Sequence, residues 1–305
     1  MSQTTENDAT APAAASRGGL VFMAQAAFWF AVMALCVKQA GAHGVPTMQT
    51  VLLRALVTLT LSSVGLWRAR LSPFGTQTRL LLSRGLFGSG GLVCFYLAVD
   101  NLPLAEATVI HQVSPVLTAL VAALWLGERL DRRVLLGMVF AFGGVVALKQ
   151  PTALLGLSEA PVELPWRWVL VGVLGALFAS LAYAAVRKLG RSEPPLRVVF
   201  YFPLVTVPLS APFAIHDWVW PDAVTWLWLL GVGVSTQIAQ VAMTKGLARE
   251  PAGRAISVSY LQVVFATVFG GVFFATWPGP WSLCGIALIT LGLFVAASRP
   301  RAALR

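Results

Sequence analysis

Charge is the scarcest property of this chain. Asp, Glu, Lys and Arg together make up 11% of its 305 residues, against about 25% in soluble domains, and acidic residues number 12 against 22 basic ones. A soluble globule is excluded. So is chemistry that needs paired carboxylates at membrane depth, because every Asp and Glu lies at or near the end of an apolar run. Cysteine is nearly absent: Cys36, Cys94 and Cys284 each sit inside an apolar run, with no C-x-x-C and no His/Cys cluster at metal-ligand spacing. They read as small buried residues and support neither a disulfide framework nor a zinc site. There is no Walker motif, and Gly231-x-Gly233 lacks the third glycine and the preceding strand of a dinucleotide fold. No cofactor is expected, and ATP is not expected to drive the process directly.

What the chain has instead is apolar length. Hydrophobic residues make up 57% of it and the mean hydropathy is +0.77, organised in stretches near the ~20 residues that a membrane helix needs. The runs lack the in/out alternation of a barrel strand, and open sheets cannot leave their edges in lipid, so an all-α integral membrane protein is expected. Ten spans are read, near 18–37, 47–67, 80–99, 103–126, 134–148, 167–186, 198–215, 224–244, 252–275 and 281–297. The fifth is short and needs Arg133 and Lys149 to snorkel from its ends. Residues 1–17 are expected as a disordered cytoplasmic tail and 299–305 as a second cytoplasmic tail; the run from Gly18 is too long for a signal-peptide core and is expected to be retained. With the amino terminus inside, 17 of the 22 Lys and Arg fall in inner segments, which places both termini in the cytoplasm. The net charge of +10 is thus a matter of basic loops rather than a nucleic-acid surface. Ten of the eleven Trp lie near predicted span ends, with Trp29 the exception.

Shifting the chain by 148 residues aligns its halves. Leu56-Val57-Thr58 falls on Leu204-Val205-Thr206, Gly85 on Gly233, Pro103 on Pro251, Gly137 on Gly285 and Gly144 on Gly292. The two repeats, 18–150 and 167–298, have five spans each, and an odd number forces the second to sit upside down relative to the first. Inverted repeats with a midplane site at their interface are the architecture of secondary transporters.

The run from Phe95 through Asp100-Asn101-Leu102-Pro103 to Ala107, followed by Ser114-Pro115 and then Leu126-Gly127-Glu128-Arg129, resembles the EamA-type signature of the drug/metabolite transporter superfamily. The resemblance implies a ten-helix exporter or exchanger of small metabolites in a bacterial inner membrane, with a central cavity lined by both repeats. The second repeat departs from the pattern: Gln262-Val263 stands where Glu-Pro or Ser-Pro is expected, and no Gly-Glu follows that span.

Polar groups in hydrocarbon are expensive, and each is a candidate for the site. The fourth span centres on His111, Gln112 and Ser114, next to Pro115, which frees a carbonyl one turn earlier. Their partners under the 148 shift are Ser259, Tyr260 and Gln262. His111 is read either as a hydrogen-bonding group, to substrate or to a neighbouring helix, or as a group that exchanges protons with each cycle. Gln237 and Gln240 share one face of the eighth span with Thr244, and their partners under the 148 shift are Ser89, Leu92 and Tyr96 in the third span. Gln25 and Trp29 share a face of the first span, where the ring either stacks on a ligand or simply packs; Tyr183 in the sixth span is a weaker candidate. Arg54, about 10 Å inside its span by 1.5 Å per residue, either snorkels, pairs, or binds a substrate anion, whereas Arg84 is expected to snorkel to the inner surface.

The leading function is therefore a secondary carrier of small organic metabolites such as amino acids, vitamins, nucleosides or drugs, exported or exchanged by alternating access. Its partners are the solute and the lipid bilayer, with no nucleic acid; monomer and homodimer both stay open. The alternatives are an intramembrane enzyme, which lacks a carboxylate to orient His111, and a passive channel.

Overall fold

The computed structural model describes residues 18–150, 155, 165–275, 277 and 279–298; the two expected tails lie outside the described residues. Regular structure among the described residues is entirely helical: α1 (Gly18–Ala42), α2 (Thr47–Arg68), α3 (Thr78–Asn101), α4 (Leu104–His111), α5 (Ser114–Leu126), α6 (Arg132–Lys149), α7 (Trp166–Leu189), α8 (Pro195–His216), α9 (Ala223–Arg249), α10 (Ala252–Ser257), α11 (Leu261–Phe274) and α12 (Pro280–Ala297). The α4/α5 pair forms one span broken at Gln112–Val113. A second broken span runs α10, a 3₁₀ turn at Val258–Tyr260, then α11. Counted this way the helices make ten spans. Nine are long and apolar enough to cross a membrane by length and composition; α6, with Arg132, Arg133 and Lys149 at its ends, is the tenth.

Helix starts follow from local chemistry. Proline, which cannot donate a backbone hydrogen bond, precedes α2, α4, α7, α8 and α10; Pro46 and Pro194, and Pro103 and Pro251, are equivalent under the 148 shift. Asp131 caps α6 by accepting from the Arg133 N–H at 2.9 Å, so this helix begins two residues before the expected span and reaches 18 residues. Gly127, with φ +66°, closes α5 in the left-handed region.

The helix pairing obeys the exchange of repeats. α1 packs along α9 as α7 packs along α3, while α2 pairs with α8 and α6 with α12. At the last pair, a Cβ added to Gly137 would meet the Gly292 carbonyl oxygen, and one at Gly144 would meet that of Gly285. Those contacts run in opposite directions along the two helices, which are antiparallel, and they interchange under the 148 shift. A pseudo-twofold axis that swaps antiparallel helices is perpendicular to them, so it lies in the plane of a membrane they span. The repeats are inverted, and the absence of side chains at these glycines lets the backbones touch.

One end of the bundle is tied by ions. The Arg187 guanidinium donates to Glu128 at 2.7 Å and to the Leu247 and Ala248 carbonyls at 2.8 and 2.9 Å, while Glu128 also accepts from the Ala252 N–H at 2.7 Å. Nearby, Glu193 accepts from Arg197, from the Thr76 hydroxyl at 2.9 Å and from the Gln77 N–H at 3.1 Å. Burial would raise the Glu193 carboxyl, but those donors outweigh it and hold the group below the usual glutamate value.

Candidate functional site

The two broken spans meet at the centre. Pro115 has no N–H to give to the turn before it, and the α4/α5 break at Gln112–Val113 follows. In the second repeat Val263 stands where Pro115 does in the first, yet the span breaks at the equivalent place. There the hydroxyls of Ser257 and Ser259 donate to the carbonyls of Arg254 and Ile256 at 2.9 and 2.6 Å, the local side-chain bonding that competes with helix propagation. His111, Gln112 and Ser114 from one break and Ser259 and Gln262 from the other line a single cavity of about 100 Å³, which Tyr183 also borders. His111 Nδ1 has no hydrogen-bond partner among the described residues, and its ring tilts against Phe95 with centroids 4.6 Å apart.

Tyr260 plays a different part from its neighbours. It is 0% exposed and does not line the cavity; its hydroxyl donates to the Gln112 carbonyl at 3.0 Å. Gln112 and Tyr260 are repeat equivalents, so this bond lies on the pseudo-twofold axis and ties the two breaks together. It also satisfies a carbonyl at an interrupted helix, the condition under which irregular backbone is tolerated at membrane depth.

The other expected residues are not brought to this cavity. On α1 the lining face is Met23, Ala26, Ala27 and Phe30, so Gln25 and Trp29 point elsewhere: Gln25 is exposed and Trp29 packs edge-on against Phe28 at 5.6 Å. Gln25 borders a separate cleft of about 470 Å³ with Gln237, whose amide is engaged with the Ser62 hydroxyl at 2.9 Å. Tyr96 borders a cleft of about 530 Å³ between α3 and α8, together with Ser89 and Thr206 at its depth and Asp100 and Asp217 at its mouth. Gln240 accepts a hydrogen bond from Arg84 at 2.6 Å.

Arg84 corrects the expectation of snorkelling. It is 3% exposed, reaches from α3 across to Gln240 on α9, and stacks over the Phe202 ring at 4.8 Å. Arg54 is 8% exposed, approaches the same ring from α2 at 5.8 Å, and has a long contact from Nη1 to Met33 Sδ of 3.9 Å. Arg54 and Phe202 are again repeat equivalents. The burial of Arg84 was not legible because six residues from a helix start is within snorkelling reach in sequence; the rotation of α3, which aims it inward, is set by packing. Phe30 and Met243, which also line the central cavity, carry no signal among so many apolar residues.

With this geometry in place, likeness to known proteins is informative. The chain matches the EamA-like transporter family twice, over residues 17–149 and 166–298. It is 29% identical over 286 residues to the pseudopaline exporter CntI of Pseudomonas aeruginosa, covering 93% of this chain and 97% of that one. It is 26% identical over 291 residues to solute carrier family 35 member G1 of mouse, covering 92% and 78%. A crystal structure at 24% identity superposes with a TM-score of 0.78, covering 92% of this chain and 96% of the other, and shows the shared fold. The relatives are transporters, not enzymes, and the intramembrane-enzyme reading falls away. Two matches spanning nearly all of the described residues, on a bundle of two inverted repeats, place this chain in the EamA-like transporter family.

Proposed function

We propose that this protein is a secondary transporter that moves a small organic metabolite, in the class of amino acids, vitamins, nucleosides or drugs, by alternating access around the central cavity. The observation that carries the reading is the cavity where two broken spans, related by the pseudo-twofold axis, join through Tyr260 and Gln112. Rocking of helix groups, drawn from both repeats, around that cavity exchanges which end of it is sealed. His111, Gln112, Ser114, Ser259 and Gln262 are the hydrogen-bonding groups that meet the solute, with His111 Nδ1 free to do so. The repeats 18–150 and 167–298 both contribute helices to the moving groups, and the ion-tied end with Arg187 and Glu128 faces the cytoplasm, as basic loops require. Export follows by analogy with the relative that exports pseudopaline, and the inner membrane is what the EamA-type resemblance implies.

The test is efflux from phosphatidylcholine vesicles loaded with a mixture of labelled amino acids, nucleosides and vitamins. We expect at least one solute to leave faster than from protein-free vesicles, with saturation and counterflow and without ATP. His111→Ala and Gln262→Ala are expected to slow it about tenfold or more, equivalent to about 1.4 kcal/mol. Flux without saturation or counterflow indicates a channel and overturns the reading.

A further inference from the structure

The interior holds two cations that no described residue neutralises. Arg54 Nη2, Arg84 Nε and Arg84 Nη1 are buried and have no hydrogen-bond partner, and neither guanidinium forms an ion pair among the described residues. Both face the Phe202 ring, at 5.8 and 4.8 Å, so their centres are no farther apart than those two distances combined. An isolated cation at membrane depth is costly, and two beside one ring repel each other in a medium that screens them weakly. Elsewhere in this bundle, Arg187 and Arg254 each meet a carboxylate and a backbone carbonyl. Arg254 Nε also lacks a partner, so the contrast lies in charge: Arg187 and Arg254 are neutralised by a carboxylate, and Arg54 and Arg84 are not, among the described residues.

Their placement connects the two cavities. Val51, three residues before Arg54 on α2, and Thr206, four residues after Phe202 on α8, border the cleft of about 530 Å³. Gln240, which holds Arg84, stands three residues before Met243 on α9, and Met243 borders the central cavity. Arg54, Phe202 and the Gln240 that holds Arg84 each lie within about one helical turn of a residue that borders the cleft or the cavity. Each arginine is about 10 Å from its helix end by 1.5 Å per residue, deeper than the lipid phosphates, so the matching anion is a dissolved one rather than a headgroup. The planar guanidinium presents paired donors that fit the two oxygens of a carboxylate or phosphate.

We propose that the transported solute is a small organic anion whose carboxylate or phosphate is held by Arg54 and Arg84 beside Phe202. The inference rests on the transport reading above and assigns its substrate class. Gln240 then positions Arg84, and the hydrogen-bonding groups around His111 read the remainder of the molecule.

Untargeted mass spectrometry of medium and cell extract, from a host expressing the wild-type chain or its variants, tests this with no solute chosen in advance. Compounds redistributed by the wild type are expected to be carboxylates or phosphates. Arg54→Gln and Arg84→Gln are expected to cut that redistribution tenfold or more, Arg54→Lys and Arg84→Lys less, and the exposed Arg68→Gln not at all. Membrane level and melting temperature establish that each variant folds; where a glutamine variant does not, the lysine variant decides, with at least a threefold loss expected because it lacks the paired donors. Redistribution of neutral or cationic solutes, or an acid carried at the wild-type rate by folded glutamine variants, overturns the proposal. No redistribution of any solute overturns the transport reading itself.

Discussion

At the residue scale, the hydroxyl of Tyr260 shows how one donor serves both fold and mechanism. Tyr260→Phe keeps the ring that fills the core and removes only the bond to Gln112, so its expected cost is about 1 kcal/mol. A drop of a few degrees in the tryptophan-fluorescence melting temperature, with slower efflux, is the expected outcome. Glu193 offers a pH-dependent counterpart. Its carboxyl is held below the usual value despite burial, by donation from Arg197, Gln77 and Thr76. Its contribution to stability is therefore present above the ordinary glutamate value of about 4.3 and fades as pH falls through the lower folded value. Glu193→Gln should melt lower than the wild type at pH 7, and the gap should narrow at acid pH. Polar residues such as His111 and Gln262 were legible because lipid penalises them wherever they sit in a span. The facing of Gln25 and Trp29 was not, because α1 is apolar all round and its sequence holds no preferred stripe.

At the element scale, the contact of α6 with α12 depends on glycines rather than on side-chain interdigitation. A Cβ at Gly144 meets the Gly285 carbonyl and the backbone of Ile289, neither of which is the far end of a flexible side chain. Gly144→Leu is accordingly expected to push the helices apart and destabilise by about 1–3 kcal/mol. Gly143, one residue away with nothing within 4 Å of its added Cβ, is the internal control: Gly143→Ala should stay within about 1 kcal/mol of wild type. Thermal melting in one detergent compares the two. The starts of α2, α4, α7, α8 and α10, each preceded by proline, fall within three residues of the expected spans. The break in the ninth span was not readable from proline, because its cause is serine hydroxyls bonding to their own turn, and such residues are equally at home in unbroken membrane helices.

At the scale of the whole molecule, the pseudo-symmetry is broken at the bundle's ends. The repeat equivalent of Arg187 is Gln39 and that of Glu128 is Thr276, which lies outside the described residues; an ionic tie of this kind has no counterpart in sequence at the other end. In the proposed alternating access, opening of the tied end separates Arg187 from a carboxylate and two carbonyls together. Breaking a buried pair by removing one partner costs several kcal/mol, so Arg187→Gln should shift the population toward the state open at that end. A cysteine placed at Ser259 in a cysteine-free background should then react faster with a water-soluble maleimide supplied from that side; an unchanged rate would show that the tie does not set the gate.

Sequence alone determined that the chain crosses a membrane as helices in two inverted halves, because span length, odd repeat count and the cost of polar groups in lipid are properties of composition and order. It also marked the polar centre, since His111, Gln112, Ser114, Ser259 and Gln262 have no cheap place in hydrocarbon except against one another. Only the tertiary structure decided which way each helix is turned. That rotation carries Arg84 from an expected surface position to a buried place beside Arg54, leaves Trp29 outside the cavity, and sets Tyr260 on the axis. In a bundle surrounded by apolar solvent, hydrophobicity does not distinguish inside from outside; close packing between backbones does.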